Sequence, residues 1–196
     1  MAILKIVKYG DIILRQKSKE ITKISKKIQI LAENMIDTMY KNNGVGLAAP
    51  QVGVNVRMFV IDVSENNEPY NPIVFINPKI IQKSGACHSA EGCLSFPNAF
   101  VDVRRYANVK VKALNLQGKP FVIEAKDGSL LAKAIQHEND HLDGILFIDH
   151  SRNLFEAIKV LEDNNLPPID KSKMLDEVEI EEELKNEGKD NTNEQN

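Results

Sequence analysis

Apolar residues in this chain recur with two different periods, and the switches between them mark out its elements. Ile28, Leu31, Ala32, Met35 and Met39 follow helical spacing, which predicts an amphipathic helix over about 25–42, with Ser25 as N-cap and Gly44 as stop. Residues 56–63 and 74–81 are apolar runs of strand length; Asn77-Pro78 interrupts the second, which predicts an edge position or a bulge. Over 109–114 apolar residues alternate with lysines, as in a half-buried strand, and Gln117-Gly118 turns that strand back into 121–125, giving a hairpin. Asp127-Gly128-Ser129 then caps a second helix that ends near Asp143-Gly144, and 154–161 predicts a third, closed by Asn164-Asn165 and Pro167-Pro168. The alternation of elements is too irregular for a doubly wound sheet. An α+β fold is expected, with mostly antiparallel strands packed around a central helix.

That central helix carries His137-Glu138-Asn139-Asp140-His141. One turn separates the two histidines, so both imidazoles leave the same face with about 5–6 Å between their Cβ atoms. From there both nitrogens can reach one ion at about 2.0–2.1 Å. Glu138 then lies beside the ion, where a carboxylate can take a proton from water. Leu130, Ala134, His137 and His141 form one continuous stripe along the helix, so the histidines extend an apolar face and are expected to point inward.

Charge and composition narrow the setting. The chain has 196 residues and a net charge of −3, enough for one domain with a substantial core. Residues 171–196 hold nine acids and four lysines, so the remainder is nearly neutral and shows no nucleic-acid footprint. The acidic segment contains no aromatic residue; a fraying helix through Met174, Leu175, Val178, Ile180 and Leu184, with disorder over the last dozen residues, is expected there. The division expected is therefore a catalytic domain over 1–168 and an acidic tail over 169–196. Residues 1–10 lack the apolar core and cleavage site of a signal peptide and no run of about 18 apolar residues occurs, so no secretory signal is expected, and two cysteines then suit a reducing compartment. A cytoplasmic protein that binds neither DNA nor a membrane is expected.

A hydrolytic metal site needs a third protein ligand. The candidates are His88, His150, Glu91 and the two cysteines. Cys93 stands out, because it lies in Glu91-Gly92-Cys93-Leu94-Ser95, where Gly92 lets the backbone approach closely. Cys87 reads as an ordinary small side chain, and His88 and His150 as exposed polar residues. A further segment, Gly44-Val45-Gly46-Leu47-Ala48-Ala49-Pro50-Gln51, leaves its backbone bare and sets Gln51 among apolar neighbours.

In this order, Gly44–Gln51, Glu91–Ser95 and His137–His141 resemble the three motifs of the peptide deformylases, Gly-x-Gly-x-Ala-Ala-x-Gln, Glu-Gly-Cys-x-Ser and His-Glu-x-Asp-His. Tyr9-Gly10-Asp11 with Leu14-Arg15 is similar to the family's start, and the resemblance spans about 3–150. It implies hydrolysis of the N-formyl group from the formylmethionine of nascent peptides, with release of formate. It implies that Cys93, His137 and His141 hold one divalent ion per chain, Fe²⁺ in vivo, with Zn²⁺, Ni²⁺ or Co²⁺ in purified protein. By the same resemblance Glu138 is the acid/base, and Gln51 and the backbone N–H of Leu94 bind the oxyanion. Gly46 pairs with the substrate backbone, and Val45, Gly92, Leu130 and Ala134 line the methionine pocket. N-formylmethionyl nascent peptides are the expected partner, with the ribosome near its exit tunnel as another. Two positions depart from some members: Lys133 replaces an apolar pocket residue, and Phe100 an arginine.

Glu91, Arg105 and Asp140 are expected to support the ligands, the guanidinium tying down one of the two carboxylates. Two other readings stay open: a zinc endopeptidase of the His-Glu-x-x-His type, which usually takes His or Glu as third ligand, and a metal-buffering protein, which needs a fourth ligand closing the site.

Overall fold

The computed structural model describes residues 2–64 and 69–174. The expected helix over 25–42 is α1 (Lys26–Lys41), entered from Ser25 and closed at Asn42, just before Gly44. Strands β1 (Gly46–Ala48), β2 (Met58–Ile61), β3 (Ile73–Ser84), β6 (Asn108–Leu114) and β7 (Pro120–Ala125) form one antiparallel sheet in the order β1-β2-β3-β6-β7. A separate hairpin pairs β4 (Cys87–Cys93) with β5 (Phe96–Arg105). Helix α2 (Leu130–Asp143) carries the histidine motif, and α3 (Leu154–Asp163) packs on β5.

The sheet is buried on both faces around β2. Met58 and Val60 join Ala32, Met35 and Met39 of α1 in one apolar cluster. The alternate residues Phe59 and Ile61 join Ala132, Ala134, Ile135 and Leu142 of α2 in another. All four β2 side chains are thus buried, which is why this strand shows no apolar–polar alternation in the sequence. Helix α2 buries eight of its residues, including Gln136, His137, Glu138 and His141, so it is central to the fold. Ser129 Oγ caps its first turn, and Gly144, in the left-handed region, ends it.

Strand β3 is not an edge strand: it sits in the middle of its sheet, and Asn77-Pro78 is accommodated by a register shift between Ile76 and Lys79. There the missing proline N–H costs no ladder bond. Asn77 turns its amide to the N-terminal segment, accepting from Ile21 N at 2.8 Å and donating to Ile21 O at 2.9 Å. Between α2 and α3, Phe147–His150 forms a 3-10 turn. Packed chain continues past 168: Ile169 lies against the cluster of Leu14, Phe96 and Phe147, and Asp170 caps a last 3-10 turn, Lys171–Lys173. Most of the segment for which a fraying helix and disorder are expected lies outside the described residues. No helix among the described residues is long and apolar enough to cross a membrane.

Candidate active site

Four short pieces converge on one cleft of about 630 Å³. They are β1, the 3-10 turn Ala49–Val52, the end of β4 with its tight turn at Leu94-Ser95, and the buried face of α2. Cys93 Sγ and one ring nitrogen each of His137 and His141 lie within 4.8 Å of one another. Among the described residues they are the one group of such side chains able to hold an ion. Cys93 Sγ is 3.3 Å from His141 Nε2, a separation suited to two ligands sharing one ion at about 2.0–2.3 Å. His137 Nδ1 faces Glu91 Oε2 at 2.9 Å, which fixes the ring and leaves Nε2 for the site. The donor set therefore fits a divalent ion of borderline softness.

The electrostatics agree with that fit. Burial pulls the His137 imidazole toward neutrality, but Cys93 and Glu91 outweigh it and lift its pKa well above the ordinary value. A field that favours imidazolium favours a cation. Burial drives His141 well below its ordinary value, with the charge of His137 adding to the effect, so it stays in the neutral, ligating form. Burial also pushes the Glu138 carboxyl up to about 7, against the pull of His137. Glu138 Oε2 is buried without a hydrogen-bond partner among the described residues, as suits a base waiting for a proton near neutral pH.

Glu138 is held by contact with β1. A Cβ on Gly46 would overlap Glu138 Oε1 and lie 2.9 Å from its Cδ and Cγ. Only a bare α-carbon lets the strand and the carboxylate approach so closely. Gly46→Ala is expected to displace the carboxylate by about 1 Å and to lower kcat about 10²-fold with the metal retained; steady-state kinetics with metal analysis checks it.

Gln51 is oriented from both ends. Its Oε1 accepts from Ala48 N at 2.8 Å, and its Nε2 donates toward Cys93 Sγ at 3.2 Å and Ser95 Oγ at 3.4 Å. The Leu94 carbonyl accepts from Lys8 Nζ at 2.9 Å, which pins the turn carrying the Leu94 N–H. Val45, Gly92 and Ala134 line the same cleft. So does Leu130, but it is 52% exposed, at the mouth rather than inside. As the first residue of α2 it has no preceding turn to pack against. Lys133 is half-buried in the wall, and the exposed Phe100 ring lies over the Gly92 α-carbon.

Behind the cleft, Arg105 binds both carboxylates at once. Its Nε and Nη2 donate to the two Glu91 oxygens, each at 2.9 Å, and Nη1 donates to Asp140 Oδ2. Against the cost of burial, Arg105 with His137 holds the Glu91 carboxyl well below the usual range, and Arg105 with His150 holds Asp140 at about 2. Cys87 is a free thiol and His88 is exposed. His150 is not the exposed residue expected: its side chain is largely buried and bonded to Asp140. Sequence reasoning also passed over Ser95 and Phe147. Ser95 stands inside a quoted motif, and Phe147 in a short apolar run after the helix, but neither shows its contact before the chain is folded.

The family model for polypeptide deformylase matches residues 3–156. Peptide deformylase 1 of Clostridium acetobutylicum is 52% identical over 149 residues, covering 76% of this chain and 95% of that protein. The crystal structure of a peptide deformylase from Legionella pneumophila superposes with a TM-score of 0.78 at 40% identity, covering 84% of this chain and 94% of that one. The Synechococcus elongatus enzyme in complex with actinonin also gives 0.78, at 38% identity, covering 85% and 92%.

Proposed function

Because the chain belongs to the polypeptide deformylase family and hydrolyses the N-formyl group from the N-terminal formylmethionine of newly made polypeptides, releasing formate, we propose that Cys93, His137 and His141 hold its metal and that Glu138 is its acid/base. The observation that carries the assignment is the convergence of one thiol and two ring nitrogens within 4.8 Å, beside a buried carboxyl raised to about 7.

The family is metal-dependent. When bound, the ion supplies Lewis acidity, acidifying a water molecule and polarising the formyl carbonyl. The protein supplies the rest. Glu138 takes the proton of the attacking water and returns it to the leaving amine. The Gln51 amide and the Leu94 N–H donate to the oxygen on which negative charge develops, and the Ala48 N–H keeps the Gln51 amide turned so that its NH₂ faces the reaction. Gly46 offers its backbone to the substrate peptide, while Val45, Gly92, Leu130 and Ala134 take the methionine side chain. Glu91, Arg105 and Asp140 hold His137 in place. The catalytic unit ends near residue 168, and the acidic segment over 169–196 takes no part in the chemistry.

A thiolate with two imidazoles suits Fe²⁺, the metal we assign in the cell, with Zn²⁺, Ni²⁺ or Co²⁺ taken up on purification. An enzyme that consumes formylated nascent chains works in the cytoplasm beside the ribosome. A zinc endopeptidase is not favoured: the third ligand in this reading is a cysteine rather than His or Glu, and the relatives are deformylases.

The test is formate release by anaerobically purified protein, with metal analysis and formyl-Met and formyl-Ala peptides compared. About one ion per chain is expected, mostly iron. Formyl-Met is expected to win by about 2–3 kcal/mol in kcat/KM, from about 0.8 kcal/mol per buried CH₂. Ala134→Phe is expected to harm formyl-Met turnover more than formyl-Ala turnover. Full activity after exhaustive chelation would remove the ligand assignment, and equal kcat/KM for the two peptides would remove the pocket.

A further inference from the structure

His150 lies outside the cleft and nine residues beyond His141. Its Nε2 is 2.8 Å from Asp140 Oδ2. A carboxylate only accepts, so this nitrogen carries the hydrogen and donates. The Arg105 Nη1 donates to the same oxygen. From there the bonds run without a gap: Arg105 forks onto both Glu91 oxygens, and Glu91 Oε2 meets His137 Nδ1. Every link is a charge-assisted or carboxylate-accepted bond, short and directional.

The turn that carries His150 is anchored independently of this chain of bonds. Asp149, almost fully buried, accepts from Leu146 N at 2.8 Å and from Arg15 Nη2 at 3.0 Å, tying the turn to the N-terminal segment. Ser151, the next residue after His150, bridges to Val103 of β5. The Phe147 ring of the same turn stands against His137, with centroids 5.8 Å apart. One rigid turn therefore touches the ligand helix at two points, with an apolar ring behind His137 and a hydrogen-bond donor on Asp140.

We propose that His150 is a positioning residue for the metal centre, acting through Asp140, Arg105 and Glu91 on the ring of His137. The inference rests on the ligand assignment above. With His150 present, Asp140 Oδ2 has two donors from two directions and cannot rotate about its Cβ–Cγ bond without losing one. Without it, Arg105 is the donor that remains on that oxygen among the described residues, the guanidinium is free to tilt, and the fork on Glu91 loosens. The His137 ring then samples a wider range of angles.

His150→Phe keeps a flat ring of similar size and removes the donor; His150→Gln keeps a neutral N–H at about the same reach. Both are compared with the parent as metal-loaded, full-length protein. The readouts are the rate of ion loss to a chelator, the visible spectrum of the Co²⁺ form, the melting temperature and the split of kcat from KM. Losing a partner of a metal ligand costs about 10–100-fold in affinity or activity. His150 acts further from the ligand, so about three- to tenfold faster ion loss is expected for His150→Phe, with an altered cobalt spectrum, lower kcat and unchanged KM. His150→Gln is expected to restore all of these. A His150→Phe protein with a lower melting temperature but parental ion loss and cobalt spectrum would make the residue merely structural and overturn the proposal. So would a His150→Gln protein as impaired as His150→Phe. A parent that holds no stoichiometric ion would overturn the ligand assignment and this inference with it, whereas a parent that holds one beside an unchanged His150→Phe overturns this inference alone.

Discussion

Glu138→Gln is expected to retain its metal and to lose about 10²–10⁴-fold in kcat, the usual contribution of a positioned acid/base. The substitution keeps the size and shape of the side chain, so contact with the bare Gly46 backbone and burial in α2 are preserved. What changes is one atom: the amide cannot accept the proton of the attacking water, nor return it to the amine. Glu138 Oε2 has no hydrogen-bond partner among the described residues, so the loss does not come from breaking a structural bond. Parallel measurement of formate release and metal content checks it. Turnover within tenfold of the parent would show that another group moves the proton.

Arg105→Ala is expected to destabilise the fold by about 3–5 kcal/mol and to weaken metal retention, because two carboxylates lose their shared cation. The Arg105 side chain is buried, and it supplies three hydrogen bonds to Glu91 and Asp140. Removing it leaves both acids buried beside one another, and Glu91 no longer has a fixed geometry in which to hold His137 Nδ1. The cost should show in chemical denaturation and in the rate of ion loss to a chelator. Arg105→Lys restores the charge but not the fork that spans both acids, so only partial recovery is expected. An Arg105→Ala protein with parental stability and metal affinity would detach the residue from the site.

Part of the candidate site was legible in the sequence because His137, Glu138 and His141 lie on one regular element. Helical periodicity alone puts His137 and His141 on one face and extends the apolar stripe that turns them inward. The caps Ser129 and Gly144 bound that helix closely. The hairpin of β6 and β7 was likewise readable from alternation and a turn.

The hairpin of β4 and β5 was not readable. Cys87–Cys93 is small and polar and shows no alternation of its own. Its strand conformation comes from pairing with β5, a partner no local pattern names. β1, with three residues, is too short to show a period, and β2 hid its alternation by being buried on both sides. Leu130 begins the stripe that the histidines continue, and its place at the cleft mouth is set by what lies opposite the helix start rather than by the period of the helix.

The amino-acid sequence by itself put His137 and His141 on one helical face with Glu138 beside them, since that is a property of spacing within a single turn, and its three motifs carried the family resemblance from which the expected roles of Cys93, Gln51 and the Leu94 N–H follow. Tertiary structure alone decided that Cys93 reaches His141, that Arg105 spans both Glu91 and Asp140, and that His150 completes that network. These contacts join residues 10 to 48 positions apart. Their geometry is fixed by how the sheet, the hairpin and α2 pack, and packing is a property of the whole core rather than of any segment in it.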